Sequence, residues 1–389
     1  MGGMSEPSDI RSWDAEHLAR MLLLRACEPG DAVLHDLVDR LGAVEVAEGI
    51  LRGTSGHRSA ATLRARLPEG AITVEEAVAA DLQAADRSGA RLIIPGDRQW
   101  PVQVDDLGPR APLALWVSGA ANLRLLALRS VSIVGARSAT SYGESLARTV
   151  AATLADRGWL VVSGGAFGID AAAHRGALDA GGASACVLAG GVDIAYPRTH
   201  EALFSRMITD GLLLSETAMG GAALRQRFLA RNRLIAALTR GTVVIEAALR
   251  SGSRTTAREA ADMLRPVMAF PGPVTSAMSA GCHDLLRERQ AVLVTGAGDI
   301  EEMLRGFTEP DEVLDGSPDQ RRSPDGVDAA PDSAEGRVLA AVSTTRGVAL
   351  ERLVGQTGLT PTDVLIVLGL LEARGLVRRT DRGWRGVAA

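Results

Sequence analysis

Between Ser130 and Phe270, short apolar runs of strand-forming residues alternate with glycine-bearing turns and helical stretches, and this alternation restricts the fold more than any other feature. Val131-Ser132-Ile133-Val134 stops at Gly135-Ala136-Arg137. Tyr142 to Asp156 then places Leu146, Val150, Thr153 and Leu154 on one helical face. Trp159 to Ser163 is the next strand, closed by Gly164 to Gly168, and Asp170 stands near the start of the following helix. The repetition predicts a right-handed parallel βαβ unit. Further strands are predicted at Ser184 to Leu188, Leu212 to Leu214, Thr242 to Ile245 and Val267 to Phe270. In an open parallel sheet the carboxyl ends of the strands share one rim, where ligands sit. Gly135-Ala136-Arg137, Gly164-Gly165, Gly190-Gly191, Ser251-Gly252-Ser253 and Pro271-Gly272 are therefore expected to converge. Any one of these glycines can serve only a tight turn. Five such loops on one rim favour an anion-binding face, because small residues leave backbone amides accessible.

The 389 residues suggest two or three domains with ample core. No apolar run approaches the roughly 20 residues needed to span a bilayer, and Met1 to Arg11 lacks the apolar stretch of a secretory signal. Cys27, Cys186 and Cys282 are odd in number and far apart, which supports neither a disulfide framework nor a zinc site. The expectation is a cytoplasmic protein with no membrane span, metal or cofactor. A net charge of −5 argues against a uniformly cationic surface but leaves room for a local basic stripe. One exists: the stretch between Glu216 and Glu246 contains no acid but holds Arg225, Arg227, Arg231, Arg233 and Arg240. The chain has no lysine, so each basic site presents a planar, permanently charged fork suited to phosphate.

Residues 12–88 read as a helical module of the SAM or helix-hairpin-helix kind. His35 to Leu51 reads as two helices joined at Leu41-Gly42-Ala43, a turn that can touch a DNA backbone or simply pack against a partner. Residues 89–307 are expected to form the α/β parallel-sheet domain, with Trp100 and Trp116 as core anchors. Residues 308–334 hold eight acids and four prolines in 27 positions and read as a solvated linker. Residues 335–389 predict three helices and a hairpin, a winged helix, with Thr360 as N-cap of the third helix. That third helix is apolar and short of base-reading side chains, which favours protein contact or packing over sequence reading. Arg378, Arg379 and Arg385 on the wing keep DNA contact open. The expected class is α/β: a parallel sheet core with a helical N-terminal module and a C-terminal winged helix.

Several motifs then occur in a specific order. They are Ser132 to Arg137, Val161 to His174, Gly190 to Pro197, Leu214-Ser215-Glu216, Phe228 to Ile235 and Glu246 to Ser253. Together they resemble the DNA-processing protein A family (DprA, also called Smf). The resemblance covers roughly Arg91 to Leu304 and implies a Rossmann-type domain that binds single-stranded DNA and forms homodimers. It also implies protection of incoming DNA and loading of the RecA recombinase during natural transformation. By motif position, Arg137 would hold a backbone phosphate, Arg225 would add a basic contact, and Phe228 would stack on a base. Arg227, Arg231, Asn232 and Arg233 would line the same groove, Gly135, Ser251 and Gly252 would also bind DNA, and the amides of the Gly164-Gly165 loop would hold the phosphate that Arg137 reaches. A cationic groove with an aromatic platform is a general means of holding single strands, although a phenylalanine is also commonly a core residue. Two departures stand out: Leu229 where proline is common, and Phe167 where arginine or a small polar residue is common.

The rival expectation is a phosphoribohydrolase-like enzyme of the same fold family. Its Pro-Gly-Gly-x-Gly-Thr loop is missing from Glu246 to Thr256. Asp170, His174, Glu216 and Glu246 could supply acid–base chemistry, but carboxylates at strand ends and helix starts commonly cap amides. No catalytic residue is assigned.

Overall fold

The structure, a computed structural model, describes residues 13–54, 60–305, 334–342, 348–373, 376–380 and 383–386. The N-terminal segment and nearly all of the expected linker, residues 308–333, lie outside the described residues. The described residues fall in two compact units, 13–305 and 334–386.

The first unit is built on a nine-stranded sheet. Its strands in chain order are β1 (Arg91–Ile93), β2 (Leu115–Ser118), β3 (Ser130–Val134), β4 (Leu160–Ser163), β5 (Ser184–Val187), β6 (Leu212–Ser215), β7 (Thr242–Val244), β8 (Val267–Ala269) and β9 (Val292–Leu293). Their spatial order is β1-β2-β6-β5-β4-β3-β7-β8-β9. From β6 to β9 all neighbours are parallel, while β1 and β2 attach antiparallel at the β6 side. The chain builds outward from β3 through β4, β5 and β6, then returns to the other side of β3 to lay down β7. The strand order therefore reverses between β3 and β7, and a doubly wound sheet opens a crevice at that point. Strands β2 to β8 are buried along their length, as their continuous Val, Ile and Leu runs require.

The helical module, Ala15–Ala26, Ala32–Leu41, Ala43–Arg52, Ala60–Arg64 and Val74–Ser88, contains the expected helix hairpin, with Gly42 at φ 84° between its two helices. The module shares a core with the sheet: Met21, Leu22 and Leu23 join the cluster that holds Cys186, Leu188, Phe204 and Leu213. Trp116 is fully buried, with its ring 6.2 Å from that of Trp13, and Trp100 is buried as well. The boundary near residue 88 is thus a change of secondary structure inside one packed body.

The second unit is a winged helix. Helices Ala334–Ala341, Leu350–Thr357 and Pro361–Ala373 precede the wing strands β10 (Val377–Thr380) and β11 (Gly383–Gly386). Thr360 Oγ1 accepts from the Asp363 amide at 3.2 Å, the expected cap. The third helix buries Val364, Val367, Leu368 and Leu371 in the unit's core and exposes Leu365, Ile366 and Leu370.

Candidate nucleic-acid interface

At the β3/β7 switch point a cleft of about 320 Å³ opens at the carboxyl ends of the strands. One wall is the end of β3 and its turn, Val134 to Ser138; the other is the Ala248 to Ser253 segment that follows β7. The helix Arg225–Ala237, which carries the chain from β6 back to β7, lies across the opening and contributes Phe228, Arg231 and Asn232.

Two cationic and two aromatic groups meet at the mouth. The exposed Arg137 guanidinium lies over the Phe228 ring, 5.0 Å from its centre. Arg231 approaches the same ring at 5.9 Å, and the Tyr196 ring lies 5.6 Å away at a tilt of 59°. Phe228 is half-buried, held in place while part of its surface stays open. Among the described residues, Arg137 has no carboxylate partner. Its charge is therefore available to a ligand.

Arg231 sits deeper and is 6% exposed. Its Nη1 donates to the Gly164 carbonyl at 2.7 Å and also to the Val187 carbonyl, while its Nε is buried without a hydrogen-bond partner among the described residues. Burial lowers the Arg231 pKa, and the nearby Asp170 opposes that shift. Asp170 is itself buried; burial raises its carboxyl above the usual carboxylate range against the pull of Arg231. With Arg137, Arg231 and the exposed Arg250 on its lining against Asp170, the cleft carries an excess of positive charge. Such a field concentrates polyanions at the opening.

A family model for DNA recombination-mediator protein A matches residues 91–305, more than half the chain, and one for the DprA winged helix domain matches residues 322–381. The chain belongs to the DNA recombination-mediator protein A family. It is 43% identical over 373 residues to a protein described as a DNA processing protein DprA in Mycobacterium tuberculosis, covering 93% of this chain and 92% of that one. It is 40% identical over 190 residues to DNA processing protein DprA of Streptococcus pneumoniae, covering 49% of this chain and 66% of that one. The solved structure of the pneumococcal DprA superimposes with a TM-score of 0.62 at 30% identity, over 74% of this chain and 97% of that one. A second, from Helicobacter pylori, is described in terms of its single-stranded DNA binding mode. It matches with a TM-score of 0.50 at 28% identity, over 56% of this chain and 96% of that one.

Against the family expectation, the fold brings Gly135, Arg137, Phe228, Arg231, Asn232, Ser251 and Gly252 onto the cleft lining and leaves Gly164, Gly165, Arg225, Arg227 and Arg233 off it. Arg233 requires a correction. It is 2% exposed, its Nη2 donates to Glu216 at 2.6 Å, and its Nε donates to the Arg110 carbonyl at 2.8 Å. Helical periodicity turns it away from the cleft that Arg231 faces. Arg227 turns toward the helical module, where its Nε donates to Glu28 at 2.8 Å. Arg225 is exposed at the start of the helix.

The expected amide cradle at Gly164-Gly165 is corrected too. Both residues are buried, and the Asp170 carboxylate accepts from the Ala166 amide at 3.4 Å and bonds the Gly164 backbone. The Gly164 carbonyl is taken by Arg231. A Cβ at Gly164 would run into the Arg231 guanidinium, so glycine there makes room for the arginine rather than for a phosphate.

The other ionisable groups considered for chemistry have protein partners. Glu246 is buried and accepts from the Thr140 amide at 2.9 Å and the Thr140 hydroxyl at 2.6 Å. Glu216 holds Arg233 and accepts from the Gly30 amide at 3.2 Å. His174 Nδ1 lies 2.8 Å from Ser184 Oγ, with the ring fully buried.

Sequence reasoning missed Arg250 and Tyr196 as site residues. Arg250 was legible from its place in the loop after β7. Tyr196 stands inside the Gly190 to Pro197 motif, but its approach to Phe228 was not legible, because a loop between β5 and β6 brings it there from a distant part of the chain.

Proposed function

We propose that this protein binds single-stranded DNA along the cleft at the β3/β7 switch point, with little sequence preference. The observation that carries the reading is the Arg137 guanidinium stacked over the half-open Phe228 ring at the mouth of a positively charged cleft. A cation for phosphate beside a flat apolar face for a base is the pairing a single strand requires, since its bases are unstacked and its backbone is accessible. In a duplex the base faces are occupied by their neighbours, and an aromatic platform has nothing to accept. The binding mode ascribed to the Helicobacter pylori relative supports the same reading.

The biological role we infer is protection of incoming DNA and loading of the RecA recombinase onto it during natural transformation, in the cytoplasm and without catalysis. The family's description as a recombination mediator supports it. A homodimer through the α/β domain would set two clefts side by side. In keeping with this, β9 leaves both Val292 and Leu293 exposed at the sheet edge.

Fluorescence anisotropy with labelled single-stranded and double-stranded oligonucleotides of equal length tests the binding. Preference for the single strand is expected; equal affinity, or none, overturns the reading. Light scattering should give twice the chain mass. RecA filaments should assemble faster on strands already coated with a single-strand binding protein when this chain is present.

A further inference from the structure

Phe167 lies on the same rim and is not used by the site described above. It is 49% exposed, in the turn after β4, between Ala166 and the helix that begins at Ile169. Two residues of this segment, Ala166 and Asp170, line the cleft. An exposed aromatic on a glycine turn would ordinarily be mobile, but this one is braced. Its ring meets His200 at 4.8 Å and 64°. His200 is in turn buried: its Nδ1–H donates to the Gly165 carbonyl at 3.1 Å, and its ring stands edge-on to the buried Phe204 at 6.1 Å.

The brace has a counterpart. His200 ends the segment that begins at Gly191, and the same segment carries Tyr196, which is 51% exposed and lies 5.6 Å from the Phe228 ring. One loop therefore backs both aromatic residues, Phe228 through Tyr196 and Phe167 through His200. Each leaves ring surface free, and Arg137 supplies cationic charge beside Phe228. A ring held in place in advance loses less freedom when a base stacks on it, and base–aromatic stacking tolerates any base.

We propose that Phe167 is a second base-stacking platform for the single strand, so that the strand leaves the Arg137–Phe228 pair, crosses the Gly191–His200 loop and stacks again at Phe167. The inference rests on the single-strand reading proposed above. It also gives a function to a position where the family resemblance implies arginine or a small polar residue. Contact there is stacking, insensitive to salt, in place of an ion pair with phosphate.

The test uses the full chain and two probes of equal length, an oligothymidine and a strand of abasic residues. Binding of the oligothymidine by the parent protein establishes the single-strand reading; its absence defeats that reading before Phe167 is reached. Given binding, Phe167→Ala should weaken the oligothymidine complex by about tenfold, equivalent to about 1.4 kcal/mol. Its salt dependence should be unchanged, and binding of the abasic strand unaffected. Phe167→Trp should restore affinity, and its added fluorescence, compared with the parent's, should be quenched by oligothymidine. Phe167→Leu keeps apolar packing against His200 and serves if the alanine variant fails to fold; it too should lose the stacking affinity. Parental affinity in a folded Ala or Leu variant would overturn the proposal. So would an equal loss on both strands, or an unquenched tryptophan.

Discussion

Nη2 of Arg233 lies 2.6 Å from a carboxylate oxygen of Glu216, and neither side chain is more than 5% exposed. The pair ties the crossover helix Arg225–Ala237 to the end of β6. Removing one partner strands the other charge in the interior. Arg233→Ala should therefore cost about 3–5 kcal/mol of folding stability, read from urea unfolding. The folded fraction should keep its single-strand affinity. A loss of affinity without a loss of stability would return Arg233 to the groove.

The stacked Arg137–Phe228 pair divides charge from stacking. Arg137→Ala should flatten the dependence of log affinity on log salt by about 0.7 per lost phosphate contact. Phe228→Ala should cost roughly 1–3 kcal/mol of binding and leave that slope unchanged. Because the guanidinium lies over the ring at 5.0 Å, the double variant should depart from additivity by about 0.5–1 kcal/mol. Anisotropy titrations at several salt concentrations measure all three.

Gly164 lies behind the cleft lining, packed against the Arg231 side chain. An added methyl group meets the Arg231 guanidinium, which is already committed to the Gly164 and Val187 carbonyls. Gly164→Ala should destabilise the domain by about 1–3 kcal/mol through overpacking and weaken oligothymidine binding as Arg231 shifts. Thermal melting together with anisotropy checks both effects. Unaltered melting and binding would show that the guanidinium relocates freely.

His174 couples stability to pH. Ser184 Oγ donates to the Val161 carbonyl at 2.8 Å, so it accepts from His174 Nδ1–H. The buried Nε2 is then unprotonated and has no partner among the described residues. Burial pushes this imidazole from 6.5 down to about 3. Between those values the unfolded chain holds a proton that the folded one does not. The stabilisation is therefore complete above about pH 6.5 and falls away as pH drops toward about 3, at up to about 1.4 kcal/mol per pH unit. His174→Gln should flatten this part of the stability profile. Denaturant unfolding of both proteins across that range supplies the comparison.

Much of the architecture was legible in the residues. The strands after Ser130 and the glycine turns follow from local chemistry, since a buried parallel strand is apolar throughout and each βα turn needs small residues. Of the five loops expected on one rim, those at Gly135-Ala136-Arg137 and Ser251-Gly252-Ser253 line the cleft and the other three do not. The cap at Thr360 and the burial of Trp100 and Trp116 belong to the same class. The Arg137–Phe228 pair was legible in part, because each residue stands at a recognisable motif. That they stack on one another was not, since 91 positions of chain separate them and only the return of the crossover helix to β7 brings them together.

The sequence alone therefore determined the βαβ alternation, the winged-helix pattern and the acid-free arginine stretch, properties set within a few residues of one another. Which of those arginines faces the cleft was decided only by the tertiary structure. Arg225, Arg227, Arg231 and Arg233 look equivalent as text. On the folded helix Arg225 is exposed, Arg227 reaches Glu28, Arg231 lines the cleft, and Arg233 turns inward to Glu216. The physical reason is that a guanidinium's role depends on the nearest carboxylate and carbonyls. Here these are supplied by Glu28, Gly164, Val187 and Glu216, residues brought to the helix from other parts of the chain.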